Sequence, residues 1–290
     1  MIWHDGRLVE PGSLRVGIAD RVFEHGLGLF ETLRTHHGRA PLLGRHLARL
    51  RRSAADLGID LGRVALPGRD AVAALVAAAG IGPDVLLRLT VTAGSAPAEG
   101  EPPVAWLAAR PLPPPEPVPL RVRSGPVDLG PIDDPDATAV PRHKMLNYWA
   151  RRQAYEAATR LGARETLLVG RPGGVLEGSR NNVLIVPRGE PRRVASPGLG
   201  LPVLPGIMRR AALDFAAASG YRVDERPVQI NELFEAEAVF LSNSVRGVRA
   251  VGRIDDRSVG RPNGDEAVRL FADDLPRWID ALPDDEEALP

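Results

Sequence analysis

The stretch AVPRHKMLNYWARR, residues 139–152, contains the only lysine of the chain, Lys144. The sequence has 290 residues and 37 lysines and arginines together, so all the others are arginines. Lysine and arginine are interchangeable as surface charges, but a guanidinium stays protonated, whereas an amine can lose its proton and condense with an aldehyde. Lys144 is therefore either a leftover surface residue of an arginine-biased chain or an amine that the chemistry of the protein requires.

The composition is typical of a soluble globular protein with one large domain or two ordinary ones. Apolar residues make up 44% of the chain, charged residues 26%, and the formal net charge is zero. Balanced charge predicts no nucleic-acid partner and no membrane partner. The absence of cysteine excludes disulfides, iron–sulfur clusters and thiolate zinc sites, and we expect no metal. Without a signal peptide or a membrane-spanning run, the expected location is cytoplasmic.

Patterning predicts an α+β chain of two domains, because runs of strands and helices are segregated instead of alternating regularly. A smaller N-terminal α/β domain is predicted at 1–112 and a larger C-terminal mixed α/β domain at 120–282. The proline-rich segment 113–119 separates them as a stiff linker. The acidic tail, 283–290, is predicted to be disordered.

Local periodicity predicts helices at 44–59, 69–79, 145–160, 205–220 and 265–280. A hairpin is predicted around His37-Gly38, where glycine permits a positive φ, and Gly58 is predicted to end the first helix. Strands are predicted at 84–94, 103–110, 120–125, 165–170, 173–178, 181–187 and 237–244. The 145–160 helix is expected to bury a face composed of Leu146, Trp149, Ala150, Ala157 and Leu161.

Six ordered segments between residues 2 and 255 resemble the class IV aminotransferase family, the fold-type IV enzymes of pyridoxal 5′-phosphate. The family includes branched-chain and D-amino-acid aminotransferases and 4-amino-4-deoxychorismate lyase. The segments are GLGLFETLR (26–34), HLARL (46–50), HKMLNYW (143–149), VLEGSRNNVLIV (175–186), LPGIMRR (204–210) and VFLSNS (239–244). The resemblance implies a homodimer that binds the cofactor between its two domains and acts on a small amino substrate.

By this resemblance Lys144 forms the internal aldimine with the cofactor, and its amine then moves a proton at the substrate carbon. Glu177 matches the acid that faces the pyridine nitrogen; without the motif it would be an ordinary hairpin glutamate. Tyr148 matches a contact to the ring oxygen, or it is a buried helix residue.

The resemblance also implies a set of groups that bind the cofactor phosphate. Arg49 matches the phosphate-binding arginine, although it shares a helical face with Arg45 and Arg52 that would equally suit solvent. The helix start at LPGIMRR offers free amides to an anion. The remaining matches are the amides of Ile207 and Met208, and Asn243 with Ser244.

Membership of this family does not choose between elimination and transamination, because both begin with the same proton removal. Thr32 resembles the threonine of aminodeoxychorismate lyases, although a β-branched strand residue also suits packing. The lyase, which releases pyruvate and 4-aminobenzoate for folate biosynthesis, is the first prediction. A transaminase of branched-chain or other amino acids is the second, and a non-catalytic binding protein the third.

The sequence also departs from the family pattern. Gly26-Leu27-Gly28 stands where much of the family has Gly-Asp-Gly, and the arginine–x–histidine carboxylate trap of D-amino-acid aminotransferases is not evident near 88–100. The carboxylate-binding groups are therefore not assigned by the family pattern; Arg34 and Arg88 are candidates for them, and Phe30 is a further predicted substrate contact.

Overall fold

The computed structural model describes residues 1–96, 100–126, 142–170, 173–260 and 265–283. The chain forms two compact units: the first contains Met1–Pro114, His143–Tyr148 and the chain from Asp280, and the second contains Pro115–Arg142 and Trp149–Ile279. The change of unit at Pro114 falls inside the segment expected to be a linker. His143–Tyr148 lies in the first unit, whereas the sequence prediction assigned it to the C-terminal domain. The predicted disordered tail lies, except for Pro283, outside the described residues.

The first unit contains an antiparallel sheet with three short helices. The strand order is β2-β1-β5-β4-β3. The strands are β1 (Ile2–His4), β2 (Arg7–Val9), β3 (Gly28–Arg34), β4 (Val85–Thr92) and β5 (Ala105–Pro111). The helices are α1 (Arg21–His25), α2 (Leu43–Asp56) and α3 (Arg69–Ala79).

Strand β3 alternates between two faces of this sheet. Leu29 and Leu33 join a buried apolar cluster with residues of β4, α2 and α3. Phe30 and Thr32 point to the opposite face, because successive side chains of a strand alternate. The predicted hairpin around His37-Gly38 is wrong as a two-stranded element, since the turn closes a single bridge and the chain then enters α2.

The segment around Lys144 extends the edge of the first sheet. Phe30 N donates to Lys144 O at 2.9 Å, and Leu146 N donates to Gly28 O at 2.9 Å. Gly28 has φ +154°, and a Cβ there would lie 2.6 Å from Val91 O and 2.7 Å from the Leu146 side chain. These bonds hold the segment extended against β3 and explain why it belongs to the first unit.

The predicted helix 145–160 therefore begins late, at Trp149, as α4 (Trp149–Arg160). Its predicted buried face is also wrong: Trp149 is 69% exposed and Leu161 is 59% exposed, while Ala158 is buried. Periodicity indicated a helix correctly, but the bonds between 143–148 and β3 decided where it starts.

The second unit is built on a mixed sheet with strand order β11-β10-β9-β12-β13-β6-β7-β8, where β14 also pairs with β13. The strands are β6 (Leu120–Pro126), β7 (Thr166–Val169), β8 (Val175–Gly178), β9 (Asn182–Val186), β10 (Arg193–Ser196), β11 (Arg222–Glu225), β12 (Ala238–Asn243), β13 (Gly247–Ile254) and β14 (Arg257–Ser258). Besides α4, the helices are α5 (Ile207–Ala218), α6 (Ile230–Glu235), α7 (Asp265–Arg269) and α8 (Leu275–Asp280).

A π-helical turn, Leu270–Asp274, joins α7 to α8. Pro276 has no amide hydrogen to donate to the preceding turn, which explains a widened turn at this point of the predicted 265–280 helix. No helix in the described ranges is long and apolar enough to cross a membrane.

Candidate active site

Lys144 lies beside two aromatic rings on the outer face of the first sheet. Its Nζ is 4.4 Å from the centroid of the Phe30 ring and 5.9 Å from that of Tyr148. The two rings meet edge to face, 5.6 Å apart. The amine, half-buried, is therefore shielded by aromatic surface on this side, and the structure brings together three residues that the sequence predicted for the site.

Arg88 of β4 completes this group. Its Cζ lies 3.9 Å from the centroid of the same Phe30 ring, so Nζ of Lys144 and Cζ of Arg88 lie within about 8 Å of each other. Thr32 pairs directly with Arg88 across the two strands, so both side chains share one face. Arg34, further along β3, is instead paired with Asp84 at 3.4 Å.

The charge of Arg88 is poorly compensated within the described residues. Burial lowers the pKa of its guanidinium, the nearby Arg110 lowers it further, and Tyr148 opposes this. No carboxylate in the described ranges is among the groups that act on it. A half-buried arginine of this kind is suited to an anionic group of a bound molecule.

Arg49 is buried against the core face of the sheet. The alternative from the sequence, a solvated helical face shared with Arg52, is therefore wrong for this residue. Its Nε and Nη2 donate to the two oxygens of Glu31, at 2.8 and 2.5 Å. His46, one turn earlier in α2, lies 2.7 Å from Glu31 Oε2 through Nδ1. We call Glu31, His46 and Arg49 the buried triad. It fixes the guanidinium of Arg49 in one orientation.

Glu31 is held in its ionised form although it is buried. Burial alone would raise the pKa of Glu31, but the charges of Arg49 and His46 and their hydrogen bonds lower it to about 2. Burial lowers the pKa of His46, Arg49 and Lys144 lower it further, and Glu31 opposes them. Sequence reasoning missed Glu31 and His46. The available signal was an acid between Leu29 and Leu33 on a core-facing row, which needs a buried cation.

Glu177 is buried at the end of β8 in the second unit. Arg151 of α4 donates to its Oε1 at 2.5 Å. Its Oε2 accepts from Asn182 Nδ2 at 3.2 Å and from the amide of Leu204 at 3.1 Å. A carboxylate has about four acceptor positions, so this one, with three donors, can accept one more. None of these three donors was predicted from the sequence.

The chain reaches the N-cap of α5 two residues beyond Leu204. The helix begins at Ile207, with Gly206 as an N-cap that has no side-chain hydrogen bond. The first amides of a helix have no intrahelical acceptor, and the dipole favours an anion there. The predicted amides of Ile207 and Met208 are in this first turn. Arg209, which is buried, anchors the turn by donating to Ser196 Oγ at 2.8 Å.

Asn243 ends β12, and its side chain is engaged within the protein. Its Oδ1 accepts from the amides of Val245 and Arg246, at 3.0 and 2.8 Å, and its Nδ2 donates to Asn181 Oδ1 at 2.6 Å. The side chain therefore shapes the turn that carries Ser244. Of the two predicted residues, Ser244 is the one whose side chain these bonds do not use.

Comparisons with known proteins give the family. The profile described as amino-transferase class IV matches residues 28–254. The chain is 31% identical over 275 residues to the bifunctional aminodeoxychorismate lyase / D-amino acid transaminase of Mycobacterium tuberculosis, which covers 89% of this chain and 92% of that protein.

Solved structures agree with this assignment. A PLP-bound hypothetical aminotransferase from Mycobacterium tuberculosis is 26% identical, with TM-score 0.78, over 97% of this chain and 98% of that one. A branched-chain aminotransferase from Thermoproteus uzoniensis with norvaline is 25% identical, with TM-score 0.80, over 99% and 96%. The chain therefore belongs to the class IV aminotransferases and has their fold-type IV architecture. It is an enzyme that depends on pyridoxal phosphate, and the predicted α+β class is confirmed.

The residues present fit this cofactor. Lys144 provides a primary amine beside aromatic surface, Glu177 has room for one further donor, and the first turn of α5 offers amides to an anion. A primary amine is suited to an aldehyde, a carboxylate to a pyridinium N–H, and free helix amides to a phosphate, so each unit by itself contains groups suited to part of the cofactor.

Proposed function

We propose that the enzyme is a 4-amino-4-deoxychorismate lyase, which forms 4-aminobenzoate and pyruvate for folate biosynthesis. The observation that carries this proposal is the outer face of β3 and β4, where Thr32 lies directly across from Arg88 and both Arg88 and Lys144 contact the Phe30 ring. The Mycobacterium tuberculosis relative is named for a lyase activity as well as for a transaminase activity.

Lys144 is the proposed catalytic base and acid. When bound, pyridoxal phosphate supplies an electron sink for the charge left by proton removal. The Nζ of Lys144 removes the proton from the substrate carbon that carries the amino group and afterwards returns a proton. Phe30 and Tyr148 orient this amine and exclude water on one side. Thr32 supplies a hydroxyl on the same face of the sheet, which we propose assists this proton transfer in the lyase reaction.

Glu177 is the proposed acceptor for the ring nitrogen. Arg151, Asn182 and the Leu204 amide hold its carboxylate in one orientation and leave one acceptor position. An ionised carboxylate at this nitrogen keeps the ring protonated, so the ring can accept electrons from the reacting carbon.

The proposed phosphate-binding groups are Arg49, the amides of Ile207 and Met208, and Ser244 with its neighbour Asn243. The bonds of Arg49 to Glu31, through Nε and Nη2, hold the guanidinium in one orientation, so its positive charge is oriented in advance for an anion. Asn243 contributes through the turn that it shapes.

Arg88 is the proposed binding group for a substrate carboxylate, with Phe30 as the apolar surface beside it. A guanidinium binds a carboxylate through two parallel hydrogen bonds, with the two central carbons about 4 Å apart. Because Arg88 Cζ and Lys144 Nζ lie at most about 8 Å apart, one small amino acid can reach both groups. Arg34 remains a weaker candidate because Asp84 already pairs with it.

Transamination is the second candidate function. The same groups of this chain would remove the first proton, and the two relatives named for transaminase activity support it. We further propose that the enzyme is a homodimer, as the resemblance to the family implies, and that it is cytoplasmic, as expected from the sequence.

Two experiments test these proposals. Incubation with 4-amino-4-deoxychorismate should yield 4-aminobenzoate and pyruvate in equal amounts, with little pyridoxamine phosphate formed. Rapid conversion of the cofactor to pyridoxamine phosphate by alanine, leucine or glutamate of either hand would favour the transaminase instead. In Lys144→Ala the absorbance band of the cofactor–lysine adduct should disappear; its persistence would refute the assignment of Lys144.

A further inference from the structure

Asn182 connects the proposed ring-nitrogen site to the start of α5. Its Nδ2 donates both to Glu177 Oε2, at 3.2 Å, and to the carbonyl of Leu204, at 2.9 Å. The amide of Leu204 donates to the same Glu177 oxygen at 3.1 Å. The side chain of Asn182 and the backbone of Leu204 therefore join a buried carboxylate directly to the chain that enters the helix.

The Oδ1 atom of Asn182 packs against Gly206, the N-cap of α5. A Cβ at position 206 would overlap Asn182 Oδ1 and lie 3.2 Å from the Cβ of Arg209. The φ of Gly206 is −69°, an ordinary value for any residue, so glycine is required here for space and not for conformation. The amide side chain of Asn182 thus bonds on one side to Glu177 and Leu204 and packs on the other against the N-cap of α5.

We propose that Asn182 is a positioning residue that fixes the distance between the Glu177 carboxylate and the first turn of α5, and so matches the enzyme to the length of its cofactor. This inference rests on the proposed function of these two groups. Two binding points on one rigid molecule reinforce each other only when the protein holds them at the matching separation. If the link between Glu177 and α5 is loosened, the phosphate group should therefore add less to the affinity for a ligand that carries both the ring and the phosphate.

The test measures that benefit directly, by equilibrium titration of the protein freed of cofactor. The probes are pyridoxamine 5′-phosphate and pyridoxamine, which have no aldehyde and bind without a bond to Lys144. The ratio of their dissociation constants is the gain in affinity from the phosphate. In Asn182→Ala we expect this gain to fall by about tenfold, since one of the two ties is lost while the Leu204 amide remains.

Arg151→Met is the matched control. It removes a hydrogen bond from the same carboxylate at Oε1, not at the Oε2 atom to which Asn182 and Leu204 donate. We expect both dissociation constants to change by a common factor there, so the phosphate gain stays within about twofold of wild type. If the loss of any hydrogen bond to Glu177 were enough to reduce the phosphate gain, Arg151→Met and Asn182→Ala would reduce it equally.

A second pair of variants approaches the contact from the helix. Gly206→Ala should displace Asn182 and reduce the phosphate gain, as Asn182→Ala does. In the double variant Asn182→Ala/Gly206→Ala the overlap with Oδ1 is absent, so the second substitution should reduce the gain less than it does in wild type. Gly206→Ala alone tests the same contact if Asn182→Ala is poorly folded.

Equal changes of both dissociation constants in Asn182→Ala, or additive effects of the two substitutions, would overturn the positioning role while leaving the proposed function intact. Failure of the wild-type protein to bind pyridoxamine 5′-phosphate at all would instead overturn the proposed function itself, and the inference with it.

Discussion

The substitution Glu31→Gln tests whether the buried triad is a permanently charged structure. Glu31 has both carboxylate oxygens engaged, with Arg49 on each and His46 on one of them. Its pKa is about 2, well below the ordinary glutamate value of 4.5. The folded state therefore favours the ionised form, and glutamine retains the shape of the side chain without the charge.

The magnitude follows from linkage. A folded pKa below the unfolded one contributes stability that is complete above pH 4.5 and is lost as the pH falls toward 2. The difference between these two values corresponds to about 3 kcal/mol of unfolding free energy at pH 7, of which about 2 kcal/mol is lost by pH 3. Glu31→Gln should thus be about 3 kcal/mol less stable than wild type at pH 7 and about 1 kcal/mol less stable at pH 3.

Urea unfolding followed by tryptophan fluorescence, at several pH values from 7 to 3, measures this difference. Acid-sensitive groups that do not contact Glu31 act on both proteins and cancel in the comparison. Glu156→Gln is the control, because its exposed pair with Arg152 should contribute less than about 1 kcal/mol at any pH. A gap between wild type and Glu31→Gln that is the same at pH 7 and pH 3 would refute the ionised triad.

Three further predictions concern the pH profile and the reaction. The pKa of His46 is lowered from 6.5, so just below pH 6.5 the unfolded chain takes up a proton that the folded chain does not. The unfolding free energy should therefore begin to fall as the pH drops below about 6.5. In the same urea titration, His46→Gln should not show this fall. Glu177→Ala should still bind the cofactor, as seen by absorbance, but turnover should fall by about a hundredfold or more; near-normal turnover would contradict its assignment to the ring nitrogen. Arg88→Leu should raise KM for a carboxylate substrate by about 10- to 100-fold, and Arg88→Lys by less, in steady-state kinetics; an unchanged KM would remove Arg88 from the substrate site.

Much of the secondary structure could be predicted because local patterns decide it. The second helix was predicted at 69–79 and is observed as α3 (Arg69–Ala79). The 205–220 helix, with proline and glycine at its start and Gly220 at its end, is observed as α5. In both helices, the apolar periodicity and the flanking residues predict the same bounds, and the tertiary contacts are compatible with them.

The region around Lys144 shows where local reasoning fails. The sequence 145–160 has helical periodicity throughout, yet its first residues form hydrogen bonds to β3 and stay extended. Backbone hydrogen bonds to a strand more than a hundred residues away in the sequence do not depend on the periodicity of apolar residues, so that periodicity cannot predict them. The same contact moved Lys144 into the first unit and brought it to Phe30.

The sequence by itself determined the family and singled out Lys144 as the candidate amine, because a sole lysine and six ordered motifs are properties of residue identity and order. The tertiary structure decided which side chains hold these groups in place: Glu31 and His46 around Arg49, and Arg151, Asn182 and Leu204 around Glu177. Buried polar groups must find partners wherever the fold provides them. Those partners come from different helices, strands and loops, so only the folded chain reveals them.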